Sequence, residues 1–386
     1  MGARAREARV CRAQAGLLTG LTGTVLIAGA GMAGLCAAAR ARELGLQPVV
    51  VEKGDRPGGS MLLSSCVVWR YPTLEDFRAE CPGGDARLQE LIVERLDEGI
   101  AWLESLGAPV VWEETGNPRT IGKRFDPMGL TDVLVRAAGK IRYELPLPEP
   151  HAPVLLATGG FQGDPKLVAR YVTEEPLLLR ANPWSAGDGL RHGLERGAAS
   201  SNGLDEFYGR AMPSPPARVP EERFVELAQL YGSYALVLNE NGEQFAPDPI
   251  SWSETDLVQA IAHQPGGRAW YVVDEPALEV SVRGRTIAEM IEAAREVGGT
   301  VVPAGDLGFD LPDSYRHAVH VTAGITHTIG GLRIDERARV LREDGMPIDG
   351  LYAAGADAGG ISAGGYASGL AAALVLGMVA VETIAA

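Results

Sequence analysis

The sequence predicts an α/β protein built on a parallel, doubly wound sheet, and three observations carry that reading. Thr24 to Ala28 is a short apolar run, followed by the turn "GAGMAG", a stretch of helical spacing ending at Gly45, and a second apolar run, "PVVVEKG". Strand, glycine turn, helix and strand in that order open a Rossmann-like unit. Apolar runs that end in glycine recur at "VLLATGGF" and "GLYAAGADAGG". Between about residues 178 and 318 the texture changes to many prolines, glycines and aromatics with short strands, which reads as an inserted α+β domain.

Composition sets the outer limits. A chain of 386 residues, 46% hydrophobic and 22% charged, can bury one large core or two smaller ones. Its net charge of −15, with no Lys/Arg cluster beyond the N-terminal arginines, argues against a nucleic-acid partner. Cys11, Cys36, Cys66 and Cys81 match neither a zinc site nor a redox or haem motif, so they read as reduced thiols and no metal is expected. Arg4, Arg6, Arg9 and Arg12 before an apolar run imitate a signal peptide, but that run is better used as the first strand and helix. The C-terminal "LAAALVLGMVAVETIAA" is interrupted by Glu382 and falls short of spanning length, so it reads as a buried helix. A cytoplasmic protein without membrane contact is expected.

Along the chain, residues 86 to 106 have the spacing of an amphipathic helix, stopped by Gly107 and Pro109. A helix follows at 130 to 138, then a proline-rich link, "PLPEPHAP", that forbids regular structure. "TIAE" at Thr286 to Glu289 is a capping-box signature, and "YALVLNENGEQF" and "AWYVVD" read as strands. Residues 330 to 356 have hairpin and strand character. The expected organisation is an extension over 1–21, a nucleotide-binding domain from 22–178 and 319–386, and a capping domain over 179–318.

Gly29, Gly31 and Gly34 form G-x-G-x-x-G. The first permits the tight turn, the second lets a pyrophosphate approach the backbone, and the third lets helix pack on strand. The helix start then offers free N–H groups and a positive dipole end. Glu52, at the end of the next strand, can accept both ribose hydroxyls. NAD and FAD share this ADP half. "GDRPGGS" adds Gly58, Gly59 and the donor Ser60, where a longer cofactor can run, and "GGISAGGYASGL" supplies glycines and a second helix start near Ser368. A helix start stabilises the charge of a reduced flavin at its pyrimidine end, so FAD is the expected cofactor.

These motifs, "GAGMAG", "VEKGDRPGGS", "LLATGGF", "NPWSAGDG", "THTIGG", "GLYAAGADAGG" and the glycine stretch, stand in one order over residues 22–386. The chain thereby resembles the FAD-dependent fumarate reductase and succinate dehydrogenase flavoprotein family, which includes ketosteroid and tricarballylate-type dehydrogenases. The resemblance implies an FAD domain in two segments with a cap between them. It also implies cofactor contacts at Ala33, Glu52, Lys53, Ser60, Asp188, Asp357, Ala371 and Ala372, beside those expected at Gly29, Gly31, Gly34, Gly59, Gly159, Gly355 and Ser368.

The departures are informative. "GGSMLLSSC" lacks the His used for covalent attachment in the respiratory branch, so non-covalent FAD is expected. Fumarate reductases use a His in "HTMGG", an Arg in the final glycine stretch and a cap Arg that delivers the proton. His327 matches the first, Tyr366 stands at the second, and "YVVDEPALEV" offers no Arg at the third. Fumarate is therefore not the expected substrate. Tyr366 resembles the Tyr of the ketosteroid branches, and "DEFYGRAMP" brings Tyr208 and Arg210 into the cap. The expected activity is hydride transfer between flavin N5 and a carbon next to a carbonyl or carboxylate, forming or reducing a C=C bond. Tyr366, Arg210, His327 and Tyr208 are the candidate catalytic residues, acting on a small molecule, with O₂ or a separate redox carrier as electron partner. The alternatives are a catalytically silent flavin-binding sensor or partner subunit, and a nicotinamide-dependent dehydrogenase.

Overall fold

The structure is a computed structural model that describes residues 23–149 and 152–386; the expected N-terminal extension and Cys11 lie outside them. The chain opens with β1 (Thr24–Ala28), the helix Met32–Glu43 and β2 (Gln47–Val51). A small antiparallel sheet follows, with β5 (Ile121–Phe125) between β3 (Val67–Arg70) and β4 (Val110–Trp112). No sequence pattern flagged it, because its strands are short and far apart in the chain. The helix Ala86–Ser105 packs beside it, one residue shorter than its spacing predicts, and Gly107 ends it at φ 91°.

The central sheet is completed by β6 (Ile141–Arg142) and β7 (Val154–Leu156). β1 lies parallel to β2, with Leu26 opposite Val49, and parallel to β7, with Leu26 opposite Val154. Every residue of β7 and all but the first of β1 are buried. Such strands carry helices on both faces, which is why they read as continuous apolar runs without alternation.

The second sheet gathers β8 (Leu178–Leu179), β9 (Phe207–Pro213), β10 (Leu236–Leu238), β11 (Arg268–Asp274), a hairpin of β12 (Ser281–Val282) and β13 (Arg285–Thr286) set apart from it, β14 (Val301–Pro303) and β15 (Tyr315–Thr328). β15 is its organiser: β11, β14 and β9 pair with it antiparallel and β8 parallel. This strand runs through residue 318, where the sequence texture suggested a boundary. The helix Ile287–Glu296 starts with the capping box read from "TIAE": Thr286 Oγ1 accepts from Glu289 N–H at 3.2 Å and Glu289 Oε2 from Thr286 N–H at 2.7 Å.

The chain returns to the central sheet through β16 (Arg339–Leu341) and β17 (Pro347–Ala353), giving the order β16-β17-β7-β1-β2-β6 with β16 antiparallel at the edge. It closes with the helix Gly369–Ala385, which packs along Met32–Glu43. Gly377 permits that approach, since a Cβ there would stand 2.5 Å from the Ala33 carbonyl oxygen. Glu382, the charge that interrupts the apolar tail, pairs with Arg40 at 3.1 Å and Arg95 at 3.0 Å. No helix among the described residues is long and apolar enough to cross a membrane.

Candidate active site

One cavity of about 820 Å³ runs from the first glycine turn to the meeting of β9, β15 and the last helix. At its first end the helix Met32–Glu43 begins at Gly31 with no side-chain cap, so its first N–H groups are free for an anion. Gly29 takes φ 113°, a value that disfavours other residues, and a Cβ on it would strike the Ala157 carbonyl. A Cβ on Gly34 would strike the Gly29 carbonyl, which is the close helix-to-strand packing assigned to the third glycine. Glu52 Oε2 accepts from Ala30 N–H at 2.7 Å and Oε1 from Gly54 N–H at 2.6 Å. The turn thus fixes the carboxylate, whose remaining lone pairs line the cavity.

Lys53 pairs with Asp188 at 2.8 Å across this end. Asn182 organises the other wall: its Oδ1 accepts from Trp184 and Ser185 N–H groups, and its Nδ2 donates to Ser60 Oγ at 3.2 Å. Trp184 lies over Gly54, and the Arg56 guanidinium sits 5.4 Å from the Trp184 ring centre. Leu145 and Leu147, from the proline-rich link, supply the facing apolar wall. Sequence reasoning missed Trp184, although "NPWSAGDG" contains it.

At the far end, strand geometry assembles the chemistry. Tyr208 and Arg210 are two apart on β9 and share a face. On β15, Ile325 opposes Gly209 while His327 opposes Tyr208, so Thr326 is a bulge residue. The bulge places His327 beside Tyr208, ring centres 5.2 Å apart. It also turns Thr326 Oγ1 to the Arg180 guanidinium at 3.0 Å. Tyr366 stacks on Tyr208 at 4.4 Å, and its carbonyl accepts from Tyr71 O–H at 2.6 Å. The Arg210 guanidinium lies 4.9 Å from the Tyr208 ring centre and 5.8 Å from that of Tyr366.

Two arginines here were not anticipated. Arg180 is buried and held by neutral acceptors, the Phe224 carbonyl and Thr326. Arg283 stands at the β12–β13 turn with φ 52° and lines the cavity, open to cavity water though protein crowds it on most sides. The segment "YVVDEPALEV" itself offers no arginine, as expected, but Arg283 lies just beyond it, where a short hairpin tip gives no hydrophobic pattern to read. Arg210 bonds the Ser253 carbonyl. Among the described residues none of the three forms an ion pair; Glu254, buried nearby, acts on Arg210 only through its field.

The electrostatics separate the two phenols. Burial raises Tyr208, but Arg210, Arg180, a hydrogen bond from Tyr366 and Arg283 together more than offset it and hold the phenol below its ordinary value. Burial and the neighbouring Tyr208 push Tyr366 well above its own. Burial lowers His327 to about 4, so its ring is neutral at pH 7 and offers a hydrogen bond in place of a charge. Burial lowers Arg180 to about 10, which leaves it cationic.

All four candidate catalytic residues, Tyr208, Arg210, His327 and Tyr366, line this cavity, as do Gly29, Gly31, Ala33, Glu52, Lys53, Gly59, Ser60, Gly159, Asp188, Gly355, Ser368 and Ala372. Gly34, Asp357 and Ala371 do not. Asp357 is fully buried and turned to Thr158, whose N–H donates at 2.5 Å and Oγ1 at 3.0 Å. The last helix starts with Ser368 as cap, its Oγ accepting from Ala371 N–H at 3.2 Å, and Gly369 lies against the His327 ring. A helix start without a side-chain cap at one end of the elongated cavity and a Ser368-capped one at the other, joined by glycine-lined walls, fit a dinucleotide with an anionic group at its far end.

Comparison with known proteins agrees with that fit. Residues 24–138 and 149–370 match the FAD binding domain family. A probable fumarate reductase, Ifc3, of Shewanella frigidimarina (strain NCIMB 400) is 26% identical over 415 residues, covering 86% of this chain and 69% of that protein. Among solved structures, the open conformation of a flavocytochrome c3 fumarate reductase matches with a TM-score of 0.69 at 23% identity, covering 98% of this chain and 80% of that one. The 3-ketosteroid-Δ4-(5α)-dehydrogenase of Rhodococcus jostii RHA1 matches with a TM-score of 0.68 at 18% identity, over 96% and 99%. The chain belongs to the FAD binding domain family, its cofactor is FAD, and it is an oxidoreductase.

Proposed function

From this membership we propose that the protein moves a hydride between flavin N5 and a carbon next to a carboxylate, forming or reducing a C=C bond. The observation that carries the reading is the set of three guanidiniums, Arg180, Arg210 and Arg283, gathered around Tyr208 without a carboxylate partner. Arg180 and Arg210 are buried with no ion-pair partner among the described residues, which is costly, and an anionic substrate lowers that cost. Fumarate, set aside on the sequence, therefore returns as a candidate, because the anion-binding groups arise elsewhere in the chain.

FAD would be held by the Gly31 helix start and Glu52 at its adenosine half and by Ser60 and the Ser368 helix start at its ring; when bound it supplies the hydride acceptor or donor. The chain's own residues do the rest. Arg180 and Arg210 bind and orient the carboxylate, with Arg283 added from the hairpin tip. His327, neutral, hydrogen-bonds the polar end. Tyr208 handles the proton at the substrate carbon: its phenolate, favoured by the arginines, accepts it in the oxidative direction, and its phenol returns it in the reductive one. Tyr366, kept protonated, orients Tyr208. Domain boundaries near 178 and 318, with the cap excluding water, complete the proposal.

The test is anaerobic. Photoreduced enzyme is mixed with fumarate, crotonate and neutral cyclic enones, and flavin reoxidation is followed by absorbance. Reoxidation by an unsaturated acid, slowed at least tenfold in Arg283→Ala, is expected. Reoxidation by neutral enones alone sinks the carboxylate reading.

A further inference from the structure

Resting on the carboxylate reading above, we infer that the substrate is a monocarboxylate whose C=C bond is conjugated to a flat, aromatic or heteroaromatic ring. All three arginines gather on the Tyr208 side. Beyond Tyr366 the lining becomes aromatic: Trp69 lies 5.4 Å and Trp252 5.9 Å from the Tyr366 ring centre, and the two indoles are 6.0 Å apart. Trp69 comes from β3, Trp252 from the loop before the helix Thr255–Ala262, and Tyr366 from the glycine stretch, so three separate segments converge to make this corner.

The corner is built to stay apolar on its cavity side. Trp252 is fixed from behind, its Nε1–H donating to Glu80 Oε2 at 3.0 Å. Tyr71 closes against Trp69 edge-on at 5.3 Å and holds the Tyr366 carbonyl. Of Arg119 and Arg124, one is neutralised by a carboxylate and the other is held by a carbonyl and an indole face. Arg119 pairs with Glu80 at 3.3 Å. Arg124 donates to the Ser65 carbonyl at 3.1 Å, with its guanidinium 4.7 Å from the Trp112 ring centre.

These positions discriminate between substrates. A dicarboxylate bound by the arginines would send its second charge toward Trp69 and Trp252, where Arg119 is taken by Glu80, Arg124 is held over the Trp112 ring, and Glu80 stands behind the indole. An unpaired carboxylate on an apolar wall is strongly disfavoured. A planar ring in the same place gains edge and face contacts with three aromatic side chains. A substrate of this shape puts its carboxylate at Arg180 and Arg210, its C=C beside Tyr208 and its ring in the Trp69–Trp252 corner.

The experiment titrates the FAD-loaded protein with trans-cinnamate, crotonate and fumarate, reading the flavin difference spectrum, which requires no turnover. Cinnamate is expected to bind at least tenfold more tightly than crotonate, about 1.4 kcal/mol, and fumarate more weakly than both. Trp252→Leu is expected to bring the cinnamate-to-crotonate affinity ratio to within about threefold of one, while Trp252→Phe, which keeps a ring and guards against collapse of the loop, retains most of it. Tightest binding by fumarate or crotonate, or a ratio unchanged in Trp252→Leu, overturns the inference and leaves the carboxylate reading standing. No spectral response to any of the three acids overturns that reading and the inference with it.

Discussion

Tyr208 and Tyr366 stack with ring centres 4.4 Å apart and planes 12° from parallel, yet their phenols are driven in opposite directions. Arg210, 4.9 Å from one ring and 5.8 Å from the other, and Arg180 tip the balance toward Tyr208, while burial and the Tyr208 charge raise Tyr366. Two phenolates in contact would repel, so ionisation concentrates on the ring nearer the cations. The sequence favoured Tyr366 as the proton-handling group, because its place in the glycine stretch marks it. In the proposed mechanism that role moves to Tyr208, which β9 sets nearer Arg210.

The two phenylalanine variants separate these roles. Tyr208→Phe should lower turnover by roughly 10²- to 10⁴-fold if the phenol transfers the proton. Tyr366→Phe should cost less. In the oxidative direction wild-type turnover should climb as pH rises toward the depressed Tyr208 value, and that limb should vanish in Tyr208→Phe. An unchanged pH profile in that variant removes Tyr208 from proton transfer.

Much of the nucleotide half was legible in the sequence because it is local. Gly29, Gly31 and Gly34 with Glu52 lie within one strand–helix–strand unit, so spacing alone determines their geometry. The substrate end is not local. Arg180, Arg210, Arg283, Trp69 and Trp252 come from separate segments and meet in one cavity only in the fold, where β8 and β9 pair with β15 to bring in Arg180 and Arg210 and the β12–β13 turn brings in Arg283. Asp357 is a different case: its motif position is adjacent to the cavity, but its carboxylate turns inward to Thr158.

Arg283 is predicted to act on binding more than on chemistry, since it approaches from a hairpin tip and is the arginine most open to the cavity. Arg283→Ala should raise KM for an acid substrate about tenfold or more with a smaller change in kcat, whereas Arg210→Ala should lower both kcat and kcat/KM. Initial-rate kinetics with one acid substrate decide it. Equal loss of kcat in both variants contradicts the division.

Glu52 should hold the adenosine ribose through charge-assisted hydrogen bonds worth roughly 1.5–3 kcal/mol. Glu52→Ala should therefore retain FAD at least about tenfold more weakly on dilution. The same carboxylate anchors Ala30 and Gly54, so the variant should also loosen the turn. Flavin occupancy equal to wild type at every dilution would show that Glu52 serves the turn alone.

Flavin should leave the polypeptide when the protein is precipitated in acid, because no His follows the "GGS" segment to form a covalent link. Yellow supernatant and a colourless pellet are expected. Flavin that stays with the pellet identifies another attachment residue.

Asp357 yields a prediction about stability and pH. Burial raises its carboxyl to about 6, against the two Thr158 hydrogen bonds that lower it. A carboxyl whose folded value exceeds its unfolded one binds its proton more tightly in the native state. Its contribution is therefore fully present below the unfolded value near 4, and it is lost as pH rises through about 6. A two-unit shift corresponds to on the order of 3 kcal/mol. Asp357→Asn keeps the size and one acceptor for Thr158 but has no proton to lose. Measured on the FAD-loaded protein, the melting temperature of Asp357→Asn minus that of wild type should become more favourable between pH 4.5 and 7.5, by several degrees. A difference that stays flat across that window means the carboxylate is ionised in the folded protein throughout, held by Thr158 more strongly than burial opposes it.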